Sequence, residues 1–249
     1  GREYRSRLRE VFDYASRLVA VSEFIAERLV ALGAPEDRVV VRHIGIDLSA
    51  SRGPLPELAS RSGVCFVGRL VRKKGVDHLI EAFARLPEEL RSGTRLRIAG
   101  DGPERANLER LAAERGVRAE FLGHSSPERV RELFRESEVL AAPSLTAPNG
   151  DAEGFGMVFL EAAALGTPSV AYAHGGVREA VVDGRTGLLA PEGDVAALTA
   201  NLQRLLTDRA LAEQLGLQGR DRTLGEFDIL DRTAELEKLY DEVAASARR

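Results

Sequence analysis

The sequence predicts an α/β fold in which helices flank a parallel sheet. Short β-branched or apolar runs alternate with longer amphipathic runs along most of the chain. This alternation indicates parallel βαβ units with right-handed crossovers. Helix start signals stand where the amphipathic runs begin, and the clearest are Ser22, Pro103 and the pair Ser126-Pro127. With 44% apolar residues among 249, the chain can bury one sizeable core, or one core plus a fragment of a second. We therefore expect a Rossmann-like sheet.

Each apolar run is predicted as a strand and each amphipathic run as a helix. The predicted strands cover 17–21, 39–42, 64–67, 96–99, 119–122, 139–142, 169–172 and 187–189. The predicted helices cover 4–14, 23–32, 76–85, 103–115, 127–135, 157–165, 177–182, 195–206, 209–217 and 233–247.

The chain is predicted to divide near a stretch rich in Ser, Gly and Pro. Residues 48–62 break the periodic pattern and are typical of an interdomain linker. Residues 63–225 then form one α/β domain, and residues 226–249 form a final helical segment. Residues 1–47 are too few for a core of their own, so we expect them to be the tail of a truncated preceding domain. The start at Gly1, without methionine, suggests a fragment or a processed product.

Composition narrows the function classes. The formal net charge of −4, with no tryptophan and few aromatic residues, argues against a nucleic-acid binder, which needs a basic face and stacking platforms. The single cysteine, Cys65, allows no intrachain disulfide, favours a reducing compartment and is expected to be a small buried hydrophobe. No signal peptide or membrane-spanning run is visible. The expected location is the cytoplasm, with peripheral contact at the inner face of a membrane left open.

Glu153 and Glu161 bracket the segment Gly154-Phe155-Gly156, which is predicted to open a helix at Met157. The first turn of a helix presents N–H groups and the positive end of its dipole to an anion. Two carboxylates beside a phosphate site make chemical sense if the ligand also carries hydroxyl groups. The pattern therefore indicates a nucleotide-sugar, with the diphosphate at the helix N-terminus and the acids on ribose and sugar hydroxyls.

A cationic loop, Gly68-Arg69-Leu70-Val71-Arg72-Lys73-Lys74-Gly75, follows the strand predicted over 64–67. In open α/β sheets, ligands bind beyond the carboxyl ends of the strands. Arg69 can offer a bidentate fork and Lys74 a compact charge to a phosphate. Taken alone the loop is better explained as a solvated basic turn, and only the glutamate motif favours a phosphate contact.

Other patterns carry less weight. Gly100-Asp101-Gly102-Pro103 resembles a dinucleotide fingerprint, but Arg105 stands where the third glycine belongs, so we expect a tight turn near the ligand and no NAD. Asp151 and Glu153 resemble a metal-binding pair, yet the cationic loop and the helix N-terminus can neutralise a diphosphate without metal. We therefore predict no metal and no cofactor. Asp151 is expected to be a loop-cap or surface acid.

The histidines and one further turn stay open at this point. The spacing of the four histidines is not that of metal ligands. They are His43, His78, His124 and His174. The segment Tyr172-Ala173-His174-Gly175-Gly176-Val177-Arg178-Glu179 is either a turn before a helix or a wall of the sugar pocket.

Over about residues 17–206, the sequence resembles the nucleotide-binding half of a family 4 glycosyltransferase of the GT-B fold. Each motif alone is weak, whereas their shared order and spacing are specific. They are Gly68-Arg69-Leu70 with Lys74-Gly75, Ala99-Gly100-Asp101-Gly102-Pro103, Phe121-Leu122-Gly123, Pro143-Ser144, Glu153-Gly154-Phe155-Gly156 with Glu161-Ala162, and Gly175-Gly176-Val177-Arg178-Glu179 with Thr186-Gly187. Residues 150–154 and 173–176 are loosely similar to bacterial exopolysaccharide glycosyltransferases, which implies polysaccharide or glycoconjugate synthesis.

The resemblance implies a retaining, metal-independent transfer of a hexosyl group from a UDP- or GDP-linked sugar to an acceptor hydroxyl. Its catalytic residues would be Glu153, Arg69 and Lys74. The implied binding sets are as follows: Arg69, Lys74, Gly156, Met157 and Val158 for the donor diphosphate; Glu153, Gly154, Phe155 and Gly156 for the donor sugar; Glu161 for ribose; and Leu122 and Gly123 for the base.

The family also has an N-terminal acceptor domain of comparable size, of which residues 1–47 would be only the tail. The final helix would pack back toward that missing domain, which is the expected partner together with a carbohydrate, lipid-linked or small-molecule acceptor. Three alternatives stay open: a catalytically silent donor-binding module or half enzyme, a glycoside hydrolase with two carboxylates, and an epimerase on the same scaffold.

Overall fold

A computed structural model of the protein describes residues 2–57 and 60–247. Two compact units are present. The smaller unit combines the stretch up to Asp47 with the stretch from Phe227 onward, and the larger unit is Leu48–Glu226.

The elements alternate between helix and strand through most of the chain. In order they are α1 (Arg2–Tyr14), β1 (Leu18–Ala20), α2 (Glu23–Ala31), β2 (Val39–Val41), β3 (Val64–Val67), α3 (Val76–Ala84), α4 (Glu88–Gly93), β4 (Leu96–Ala99), α5 (Arg105–Glu114), β5 (Ala119–Gly123), α6 (Pro127–Glu136), β6 (Val139–Ala141), α7 (Met157–Ala164), β7 (Ser169–Tyr172), α8 (Val177–Ala180), β8 (Gly187–Ala190), α9 (Val195–Thr207), α10 (Arg209–Glu226) and α11 (Ile229–Ala247).

The larger unit is built on a parallel sheet with the strand order β5-β4-β3-β6-β7-β8. Successive strands move outward on one side of β3 and then, from β6, on the other side. The connections after β3 and β6 therefore leave in opposite directions and open a crevice at the carboxyl ends of these two neighbours. This switch point is where a doubly wound sheet places its ligand.

The core of the larger unit surrounds the central strands. Every residue of β4, β6 and β7 is buried, as is Cys65 in β3, as predicted. Burial raises the pKa of the Cys65 thiol to about 11, so it is protonated and packs as a small hydrophobe. Strands buried on both faces are typical of a parallel sheet covered by helices on each side.

The predicted α/β class, the parallel sheet and all the predicted strands are confirmed, with strand ends within one residue of the prediction. Ser22 and Ser126 cap α2 and α6 by accepting hydrogen bonds from the N–H groups of Ile25 and Arg129. The prediction for Pro103 was wrong, because α5 begins at Arg105 after a turn. Helix α4 was not predicted, since its six residues carry too short a pattern.

Helix α10 was predicted to end at 217 and instead continues to Glu226. Gly216 and Gly219 weaken helix propensity at that point. Gly216 allows close packing against the turn after α7, because a Cβ there would stand 2.2 Å from the Gly166 carbonyl oxygen, whereas a Cβ on Gly219 would make an ordinary contact at 3.4 Å with the Ala163 Cβ. Gly216 is therefore explained by a tertiary contact that a local pattern does not reveal.

The smaller unit holds the parallel pair β1–β2. Its two chain segments are joined by backbone hydrogen bonds, in which Ile46 N–H donates to the Phe227 carbonyl and Ile229 N–H donates to the Ile46 carbonyl. The predicted linker, residues 48–62, packs within the larger unit in the part that the structure describes: Leu48 and Arg61 are both buried. It is thus a packed connection, although its composition is typical of a flexible one.

Candidate donor site

The loops that follow β3 and β4 are held together by close backbone contacts. Gly68 N–H donates to the Ala99 carbonyl, and Leu70 N–H donates to the Asp101 carbonyl. Gly100 and Gly102 have positive φ, and a Cβ on them would stand 1.8 Å from the Gly68 oxygen and 2.4 Å from the Leu70 oxygen, respectively. Only glycine fits there. The turn around Gly100, predicted as a tight turn, therefore supports the cationic loop.

The cationic loop also contacts the loop after β6. A Cβ on Gly75 would stand 2.0 Å from the Pro143 carbonyl oxygen, and Leu145 N–H donates to the Lys73 carbonyl at 2.7 Å. These contacts bridge the two loops that diverge from the switch point. The base of the crevice is thus built by backbone atoms, which hold both loops at a fixed distance.

Two lysines of the cationic loop pair with two acids of the loop after β6. Lys74 Nζ stands 2.5 Å from Glu153 Oε2, and both side chains are only 21% exposed. Lys73 Nζ stands 2.7 Å from Asp151 Oδ2, where the aspartate is 51% exposed. The structure therefore brings together Lys74 and Glu153, which lie 79 positions apart. It also places Asp151 at the surface, as predicted.

Helix α7 begins directly after this acidic segment. Gly156 caps it with φ 96° and ψ 66°, a left-handed conformation that favours glycine. The N–H groups of the first helical turn, which include Met157 and Val158, have no acceptor within the helix. Phe155, which precedes this cap, is buried. Gly176 N–H donates to the Glu153 carbonyl at 2.9 Å and fixes the start of this turn.

Glu161, about one turn into α7, differs from Glu153. Its side chain is half-buried and makes no hydrogen bond or ion pair with the residues the structure describes. Burial raises the pKa of the Glu161 carboxyl, and the charge of Arg131 opposes that shift only in part. A half-buried carboxylate without a hydrogen-bond donor is favourable only if a ligand supplies one.

The other predicted contacts flank this centre. Arg69 is exposed and makes no ion pair with the described residues, Glu153 included. Leu122 and Gly123 end the edge strand β5, and the Gly123 carbonyl accepts a hydrogen bond from Gly100 N–H. Two strand spacings, about 10 Å, separate β5 from β3. Leu122 and Gly123 therefore lie along the same carboxyl edge as the cationic loop.

His174 lies in the segment that was predicted to be either a turn before a helix or a wall of the sugar pocket. Its side chain is 4% exposed, and neither ring nitrogen has a hydrogen-bond partner among the described residues. Burial lowers the pKa of His174, while the nearby carboxylates Glu192 and Glu153 oppose the shift. The ring is therefore neutral at pH 7 and lies within the electrostatic reach of the Lys74–Glu153 pair.

An open groove of about 420 Å³ runs between α3 and α5, and none of the predicted site residues lines it. Within residues 2–57 and 60–247, no three His, Cys, Asp or Glu side chains gather in a metal-like cluster. Across the same part of the chain, no helix combines the length and apolarity needed to cross a bilayer.

Comparison with known proteins defines the family. Residues 53–222 match the family model for glycosyl transferases group 1. The chain is 31% identical to the putative colanic acid biosynthesis glycosyltransferase WcaL of Escherichia coli (strain K12), over 80% of this chain and 50% of that protein. It is 33% identical to the GDP-mannose-dependent alpha-(1-6)-phosphatidylinositol monomannoside mannosyltransferase of Mycolicibacterium smegmatis, over 94% of this chain and 64% of that protein.

Among solved structures, Anabaena Alr3699/HepE in complex with UDP and glucose superposes with a TM-score of 0.83 at 23% identity, over 97% of this chain and 69% of that one. The chain thus spans half to two thirds of the length of these relatives. It belongs to the glycosyl transferases group 1 family. The predicted resemblance and the GT-B fold are confirmed.

Proposed function

We propose that this chain is the donor-binding part of a glycosyltransferase that moves a sugar from a UDP- or GDP-linked donor to an acceptor hydroxyl. The observation that carries the proposal is the contact between Lys74 and Glu153. It joins the cationic loop to the glutamate motif at the switch point of the sheet, beside the N-terminus of α7. Phosphate-binding and hydroxyl-binding groups therefore share one crevice.

The donor would lie along the carboxyl edge of the sheet. Its base would pack near Leu122 and Gly123, and its ribose would donate hydroxyl hydrogen bonds to Glu161. Its diphosphate would reach Lys74, Arg69 and the N–H groups at the start of α7. Glu153, with the backbone of the turn at Gly154, Phe155 and Gly156, would bind the sugar. The separation of about 10 Å between β5 and β3 suits the length of a nucleoside diphosphate.

Catalysis would then depend on charge that develops as the bond to the diphosphate breaks. Lys74, Arg69 and the positive end of the α7 dipole would stabilise the departing diphosphate more than the ground state. Glu153 is held by Lys74, so we assign it to positioning the sugar rather than to forming a covalent bond with it. We propose that these cations and the helix dipole offset the charge of the leaving group, that the reaction therefore needs no metal, and that it retains the anomeric configuration.

Binding tests the donor site in this chain directly. Calorimetric titration with UDP, GDP and their sugar conjugates should show saturable binding of one nucleotide series, which also identifies the base. Lys74→Ala should abolish most of that binding, and in the whole enzyme it should lower the transfer rate about 10²- to 10³-fold, as loss of a charge-stabilising donor does. Absence of binding to every nucleotide tried would refute the proposal.

A donor-binding module without activity of its own is a second candidate. The predicted donor-site residues fall within Leu48–Glu226, which supports the proposal that this unit would bind the donor without an acceptor partner. Saturable donor binding without transfer, under conditions where a whole relative is active, would favour the module. The same transfer assay would be run with candidate acceptors of each kind: a carbohydrate, a lipid-linked molecule and a small molecule. Product analysis by NMR would report the anomeric configuration, and turnover in the presence of a chelator would test the metal-independent mechanism.

A further inference from the structure

The end of α7 opposite the proposed donor site is bound by two arginines. Arg61 donates to the carbonyls of Leu165 and Gly166 at 2.9 and 3.1 Å. Arg220 donates to the carbonyl of Ala164 at 2.9 Å. Arg61 is only 3% exposed, although a buried guanidinium is costly to desolvate. We call this pair of arginines the carbonyl clamp.

The clamp completes the hydrogen bonding of the helix end. Thr167 N–H donates to the Ala162 carbonyl and Gly166 N–H donates to the Ala163 carbonyl, which together form a Schellman motif. The next three carbonyls, of residues 164–166, point away from the helix and receive the guanidinium groups. Each carbonyl of residues 162–166 therefore has a donor, which fixes the position of α7 along its own axis.

The clamp also bears on the electrostatics of the helix. The carboxyl end of a helix carries a partial negative charge, and cations placed there interact favourably with it. Helix α7 has 8 residues, so its two ends lie about 12 Å apart. Two guanidinium charges at the carboxyl end offset its partial negative charge and add to the positive potential along α7 toward Gly156. That is the end at which an anion would bind.

We propose that Arg61 and Arg220 are positioning residues for the donor diphosphate, acting through α7 without touching the ligand. The proposal rests on the donor site proposed above. The clamp holds the first turn of α7 at the position along the helix axis where its N–H groups meet the diphosphate. It also strengthens the positive electrostatic potential at that end of the helix. Arg61 comes from residues 48–62, so this packed connection has a role in the site and not only in joining two units.

Binding of two ligands separates this role from a merely structural one. The dissociation constants of the nucleoside diphosphate and of its parent nucleoside are compared in Arg61→Met, Arg220→Met and the wild-type chain. We expect the diphosphate to bind about 3- to 30-fold more weakly in the variants, the range that a charge at a helix end supports. The nucleoside, which lacks the anion, should bind as in the wild type. Arg61→Lys keeps the charge and should recover part of the loss.

Arg97 supplies a matched control. It is a second buried arginine, 6% exposed, and its guanidinium donates to the Ser62 carbonyl, to Ser137 Oγ and to Glu136, and, among the described residues, to no carbonyl of α7. Arg97→Met should lower the melting temperature without a selective loss of diphosphate binding.

Equal weakening of nucleoside and diphosphate binding in Arg61→Met would overturn the proposal. A selective loss of diphosphate binding in Arg97→Met would overturn it as well. If Arg61→Met does not fold, Arg220→Met, at a partly exposed site, decides the outcome. A wild-type chain that binds no nucleotide would refute the donor site itself and this proposal with it.

Discussion

Glu153 and Glu161 lie eight positions apart on one motif, yet they are held in opposite ways. Glu153 is paired with Lys74 at 2.5 Å, so its charge is neutralised before any ligand arrives. Glu161 is half-buried and has neither a hydrogen bond nor an ion pair with the described residues, and its pKa is raised by burial. One acid is thus stabilised in the ligand-free protein, whereas the other is stabilised only when a ligand donates to it.

This difference assigns separate tasks to the two acids. A carboxylate fixed by a lysine beside a phosphate site is suited to orienting a reacting sugar, because its position is set before binding. A carboxylate that lacks donors is suited to binding, because each ligand hydroxyl then removes a cost already present in the free protein. Substitutions that remove only the charge should therefore affect rate at one acid and affinity at the other.

The largest effect is expected for Glu153→Gln in the whole enzyme. Transfer should slow about 10²-fold or more, because the sugar loses a charged group that positions it in the transition state. Binding of the nucleoside diphosphate alone should stay equal or become tighter, since Lys74 is released to the phosphates. Steady-state rates together with calorimetry of the sugar-free nucleotide measure both.

Asp151→Asn is the matched control for that variant. It removes the charge of the neighbouring acid, which pairs with Lys73 but is half exposed. Exposed ion pairs contribute little, so both rate and affinity should stay near the wild-type values. A rate loss in Asp151→Asn as large as in Glu153→Gln would show that the loop as a whole, and not the Lys74–Glu153 pair, controls transfer.

Glu161→Gln should act on affinity. Loss of charge-assisted hydrogen bonds to ribose, each contributing about 1.5–3 kcal/mol, should weaken nucleotide binding roughly tenfold or more. Repeating the titration with the 2′-deoxynucleotide forms a double cycle between the acid and the hydroxyl. If Glu161 accepts from that hydroxyl, the deoxynucleotide should bind variant and wild type about equally; fully additive losses would contradict the ribose contact.

The contrast between the acids also shows how far the sequence determined the site. Both glutamates, the cationic loop and the strand ends that carry them were predicted, since strand and helix periods are local signals. The direct Lys74–Glu153 contact was not, because it joins residues 79 positions apart. The clamp at Arg61 and the role of Gly216 in α10 were missed for the same reason. The function of an arginine in a Pro-rich stretch, or of a glycine in a helix, depends on the backbone that it contacts in the folded protein.

The raised pKa of Glu161 makes a prediction for the ligand-free protein. A folded-state pKa above the unfolded value of 4.5 means that the contribution of the protonated acid to stability is complete below pH 4.5 and is lost as the pH rises through the folded pKa. Glu161→Gln should therefore raise the melting temperature at pH 7; in a chain of this size each kcal/mol of stabilisation corresponds to about 2–4 °C. The difference should shrink as the pH falls toward 4.5. Saturating nucleotide should reverse the order, because it stabilises the wild type more.

The smallest expected effect concerns the dependence of stability on pH at His174, and its direction is well defined. Burial lowers its pKa below the ordinary value of 6.5, so the unfolded chain takes up a proton before the folded one does. The stability that the neutral ring contributes is complete above pH 6.5 and is lost as the pH falls through the folded pKa. We therefore compare how far the melting temperature falls between pH 7.5 and 5.5 in the wild type and in His174→Gln. The two falls should differ by about 2 °C or less. The wild type should lose stability faster on acidification, which is the opposite of the trend at Glu161.

The charge of Glu153 favours the protonated His174 ring. Glu153→Gln removes that charge and should therefore make the melting temperature fall more steeply as the pH is lowered. A wild-type slope no steeper than that of His174→Gln would show that the ring protonates as easily in the folded protein as in the unfolded chain.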